Sequence, residues 1–174
     1  METPLEQILI KRYKSEMIAY IASHPEDFDE LVNLAITDKP PYSWRAAWLL
    51  FNYLEKNDKR LKRYTQQIID SLPSLGHSHQ RELLKILYII DIDEDYEGAI
   101  FDIALSIWEK INSQPSLRVN AFKIIVKIIK KHPELKHELE YILRKEHLET
   151  LSPGIRHSLK LMIKQLKLSS NFNL

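Results

Sequence analysis

The chain has 174 residues, 44% hydrophobic and 28% charged, with net charge +1, eight prolines, three glycines and no cysteine. Plentiful Leu, Ile and Val with nearly balanced charge exclude disorder, and the missing cysteine excludes a disulfide scaffold and a cysteine zinc site. No apolar run nears the roughly 18 residues of a membrane span, Glu2 and Glu6 stand where a signal peptide would be basic, and the few glycines argue against phosphate-cradling loops, so a cytoplasmic protein with one domain over 1–168 is expected.

In chain order, hydrophobic periodicity predicts nine helices, at 4–22, 26–37, 43–56, 59–72, 78–91, 95–112, 115–131, 134–148 and 153–168, then a polar tail at 169–174. Pro4, Pro25, Pro115, Pro133 and Pro153 each precede a periodic run, where a missing N–H costs nothing and a fixed φ suits a first turn. Thr3 and Glu6 have capping-box spacing, and Ser152 stands as an N-cap before Pro153. The clearest period lies in 115–131, where Ala121, Ile124, Ile125, Ile128 and Ile129 share one face. Lys123, Lys127, Lys130 and Lys131 occupy much of the other. Isoleucine alone would suit a strand, but this spacing excludes one.

A repeat underlies the order. Ser43-Trp44-Arg45-Ala46-Ala47, Ser78-His79-Gln80-Arg81, Ser116-Leu117-Arg118-Val119-Asn120-Ala121 and Gly154-Ile155-Arg156-His157-Ser158 open four helices, with their arginines 36, 37 and 38 residues apart. That period is two helices long, which predicts stacked helical hairpins whose neighbours supply each other's core. The helices bearing the four arginines should form one layer.

A helix, a short turn often holding Asp, and a second helix opening apolar-Arg-x-x-Ala resembles the HEAT-like repeat. Leu31 to Asp38 followed by Trp44-Arg45-Ala46-Ala47 fits with the Ala one position early, and Ile103-Ala104-Leu105 through Ala121 fits without that shift. Leu83 and Leu84 stand where a small residue is usual, and the Asp is missing ahead of Arg81, Arg118 and Arg156, which departs from the usual Asp–Arg ladder. The order SWRAAWLL, IDIDEDYEGAIFDIAL, KIIKKHPELKHELEYIL and SPGIRHSLKLMIKQL also resembles a bacterial group of short HEAT-like proteins, sometimes labelled adenylosuccinate lyase. Those lyases are far larger and carry a glycine- and serine-rich catalytic loop, which has no counterpart here. The resemblance implies an all-α, α–α superhelix of the ARM/HEAT type, four hairpins capped by helix 4–22, with the arginine helices lining the inner face.

Charge divides between the two layers. The arginine-bearing segments carry a net +11 and their partners −11. A basic inner face attracts an acidic protein or peptide, with a nucleic-acid backbone as the alternative ligand. The macrodipole accounts for acids at helix starts and bases at helix ends, including Asp93 to Glu97 and Lys130-Lys131, but not for a stripe along a whole helix. The candidate partner-binding residues are therefore Lys123, Lys127, Lys160, Lys164, Lys167, Arg118 and Arg156. A non-enzymatic binding role follows.

Trp44, Trp48 and Phe51 share a helix face close to Tyr42 and Tyr53, and an aromatic run at helical spacing is expected to be core. HEAT-like DNA glycosylases set aromatics and a catalytic Asp in a basic cleft, but no Asp here matches that pattern. The histidines show no ligand spacing, His24 and His132 precede prolines in turns, and no nucleophile elbow frames a serine. Paired acids such as Asp91 and Asp93 read as a solvated turn. No catalytic residue, metal or cofactor is expected.

Overall fold

Prolines and cap residues open the helices of the computed structural model, which describes residues 2–166. Thr3 and Glu6 close the expected capping box, and the Ser152 hydroxyl accepts the Ile155 N–H at 3.4 Å. The described residues form eleven α-helices with short 3₁₀ turns and no strand. The chain divides after Ile92 into two compact units.

The first unit holds α1 (Pro4–Lys11), α2 (Lys14–Ser23), α3 (Phe28–Ile36), α4 (Ser43–Tyr53), α5 (Thr65–Ser71) and α6 (His77–Ile89). Helix α3 packs on α4, with α5 beside α3 and α6 beside α4. First helices thus neighbour first helices, and the Arg45 and Arg81 helices adjoin, as the repeat requires. Leu31, Leu49, Leu50, Ile68, Leu83 and Leu84 are fully buried between the layers. Each such side chain contributes about 1.5–3 kcal/mol of transfer free energy.

The second unit holds α7 (Glu94–Glu109), α8 (Pro115–Lys131), α9 (Glu138–Ile142), α10 (Lys145–Leu148) and α11 (Pro153–Lys164). The scheme recurs: α7 packs on α8, α9 on α7, and α11 on α8. The period in 115–131 is a single helix of those bounds, with Ala121, Ile124, Ile125 and Ile129 wholly inside.

Two predicted helices are broken. The run 4–22 parts at Arg12 and Tyr13, which take extended backbone (φ −119°, ψ 158° and φ −82°, ψ 166°). The Glu16 carboxylate accepts the Tyr13 N–H at 3.1 Å and so starts α2 afresh. The Leu9 carbonyl, which an unbroken helix would give to that same N–H, accepts Arg45 Nε instead. The run 134–148 becomes a 3₁₀ turn over 133–137, then α9 and α10, with Arg144 extended between them. Here Trp108 Nε1 donates to the Ile142 carbonyl at 2.8 Å. The segment 59–72 likewise starts as a 3₁₀ turn over 59–64 before α5.

The aromatic run is not core. Helix α4 buries Ala46, Ala47, Leu49 and Leu50, which leaves Trp44 44% exposed and Trp48 and Phe51 half-buried. Small alanines admit the neighbouring helices closely, so the broad indoles fall on the flank of α4.

Candidate functional site

Helix α11 buries Leu159 and Ile163, which turns Lys160 and Lys164 outward, one turn apart. Neither has a hydrogen-bond or ion-pair partner among the described residues. Other exposed charges do pair, as in Arg12–Glu16 at 3.3 Å and Lys145–Glu149 at 3.2 Å. Helix α8 packs beside α11 and carries Lys123 and Lys127, both half-buried. Two lysine pairs thus stand on adjacent helices. Arg156 is half-buried on α11, and Lys167 lies outside the described residues.

Arg118 corrects the expectation. It is completely buried, so it cannot reach a partner. Its Nε donates to the Trp108 carbonyl at 2.9 Å, its two Nη atoms reach Thr150 Oγ1 at 2.9 Å and the His147 carbonyl at 2.6 Å, and its plane lies 4.5 Å from the Trp108 ring centroid. Ahead of Arg118, where the usual Asp is missing, carbonyl oxygens take its place, and Arg45, which Asp38 does precede, caps α1 as Arg118 caps α7. Arg81 instead pairs with the buried Glu82 at 3.0 Å. At Arg45 and Arg118 the repeating arginine is a brace between helices, whereas Arg81 pairs within its own helix.

Acidic residues line one cavity of ≈ 450 Å³ in the second unit, among them Glu94, Glu97, Asp102, Glu134 and Glu138, together with His132. Glu97 is buried and accepts bonds from Lys131 and from His132 Nε2, the latter at 2.5 Å. Burial alone would raise this carboxyl, but the two donors outweigh it and hold it below its ordinary range. His132 is raised in turn, chiefly by its bond to Glu97. The cluster ties the end of α8 to the start of α7. No described group of His, Asp or Glu has the geometry to hold a metal ion.

His147 is buried beside Trp108 and Tyr141, and neither ring nitrogen has a hydrogen-bond partner among the described residues. Burial lowers its pKa from the ordinary 6.5. On unfolding, the ring recovers that ordinary value, so the unfolded chain binds more protons just below it. Stability from the neutral ring is full above about 6.5 and is lost as pH falls through the lowered folded value. His132, with a raised value, acts oppositely: its contribution is present below 6.5 and lost as pH rises. Replacing His147 with Phe removes no side-chain hydrogen bond and should reduce the acid-side loss of the urea midpoint below about pH 6.5, with the buried His79, lowered in the same way, supplying what remains. An unchanged slope would contradict this assignment.

Sequence reasoning missed Tyr13, 83% exposed at the α1–α2 break. The one available signal was Glu16, three residues on, in capping position. The model of the HEAT repeat domain family matches residues 1–166, and the chain belongs to that family. No curated protein and no solved structure matches.

Proposed function

We propose that this HEAT repeat chain is a non-enzymatic scaffold whose lysine pairs on α8 and α11 receive an acidic segment of a protein partner. HEAT repeats generally serve as protein-interaction scaffolds, their stacked helices offering an extended surface. The supporting observation is the outward Lys160–Lys164 pair, which no described acid neutralises. Like charges one turn apart cost a helix a few tenths of a kcal/mol, roughly 0.2–0.5, which an acidic partner offsets.

The test replaces Lys160 and Lys164 with Gln, then adds Lys123→Gln and Lys127→Gln, with Lys136→Gln as control. Binding of a glutamate-rich peptide should weaken about tenfold in the double variant, and the difference should shrink as salt shortens the Debye length to a few Å, about 3 Å at 1 M. The melting temperature should stay level or rise slightly in the double variant. A lower melting temperature with unchanged peptide binding would make the pair structural and end the proposal.

A further inference from the structure

In the first unit, Arg12, Tyr13, Lys14, Trp44, Arg45 and Trp48 line a groove of ≈ 260 Å³ formed by the α1–α2 break and α4, with the buried Met17 as its floor. Beside it the Glu16 carboxylate is occupied by Arg12 at 3.3 Å and by the Tyr13 N–H at 3.1 Å, which leaves Lys14 and Arg45 as its cations without a carboxylate partner among the described residues. Its aromatic surface is in water: Tyr13 is 83% and Trp44 44% exposed. Its cations stand against the rings, with Arg45 5.7 Å from the Trp44 centroid and Lys14 Nζ 5.7 Å from that of Trp48. Local bonds fix both cations in place. Arg45 is held through Nε to the Leu9 carbonyl, which leaves its two Nη atoms without a partner among the described residues. Lys14 spends one donor on Asn52 Oδ1. Tyr13 is set by the Glu16 carboxylate on its backbone N–H.

Exposed ring faces held beside fixed cations suit a ligand that is flat and anionic at short intervals. We propose that this groove binds single-stranded nucleic acid, bases stacking on Trp44 and Tyr13 and phosphates meeting Arg45 and Lys14. Every base has a face to stack, so the site accepts many sequences. An acidic peptide fits less well, because a carboxylate gains from the cations but nothing from the electron-rich ring faces. The proposal goes beyond protein scaffolding and does not depend on the lysine pairs of α11.

The experiment follows anisotropy of a fluorescein-labelled oligothymidine with the full chain, with a glutamate-rich peptide as competitor. Wild type should bind at low salt, with affinity falling steeply as salt rises. Trp44→Leu and Tyr13→Leu should each weaken binding about tenfold, the loss expected for one stacked base, and Lys14→Gln should reduce the salt slope. Tyr13 is so exposed that its variant keeps the fold even where Trp44→Leu lowers the melting temperature. Lys160→Gln with Lys164→Gln should leave oligonucleotide binding intact, which separates this site from the scaffold reading. Absence of binding, indifference to both aromatic variants, dependence on the α11 lysines alone, or full displacement by the acidic peptide would each overturn the proposal.

Discussion

Arg118→Met should lower the stability of the second unit by about 2–4 kcal/mol, because it strands buried acceptors at about 1–3 kcal/mol each. The guanidinium is wholly enclosed and donates to two backbone carbonyls and one hydroxyl. The Trp108 carbonyl belongs to the last turn of α7, where an unbroken helix would supply the N–H of Asn112. Burying a cation is costly, and desolvation lowers the Arg118 pKa accordingly. What compensates is the negative end of the α7 dipole and the face of Trp108. Methionine keeps volume while removing charge and donors, so relief of desolvation limits the loss. Arg118→Lys should fall between, since one ammonium cannot reproduce the planar fork. Urea denaturation checks both, and a change under about 1 kcal/mol in Arg118→Met would show that solvent already serves those carbonyls.

Ile125→Ala should cost about 2–5 kcal/mol, and Ile128→Ala a similar amount, the usual cost of truncating a buried isoleucine. Ile125 is fully buried and Ile128 is 3% exposed, both on the inner face of α8. That helix packs against both α7 and α11, so the surroundings have little room to collapse into the cavity. Ile111→Ala, at a site 38% exposed, is the control and should change the urea midpoint little. A change below about 1 kcal/mol at both buried sites would overturn the face assignment of α8.

The candidate sites were only partly legible. The lysine pairs follow from spacing, since residues one turn apart share a face whatever surrounds the helix. The groove does not, because it depends on a break at Tyr13 that periodicity passes over: Leu5, Leu9, Met17 and Ile21 keep apolar spacing across it, and all are buried. Trp44 and Trp48 misled for a related reason. Their spacing shows that they share a face, but which face of α4 turns inward is decided by the small Ala46 and Ala47 meeting the neighbouring helices.

Helix type, most helix starts and the two-helix repeat were written in the amino-acid order alone, because proline, caps and hydrophobic period act within one or two turns. The single helix over 115–131 and the arginine spacing are the clearest cases. The ends of helices and the fate of the arginines were decided between helices. Leu9, Trp108 and Ile142 each carry a carbonyl that an unbroken helix would satisfy itself, and each is satisfied instead by Arg45, Arg118 or Trp108 from elsewhere in the chain. A long side chain adds to surface charge or becomes an internal brace according to which orphaned carbonyl lies within its reach, and that distance exists only once the helices have packed.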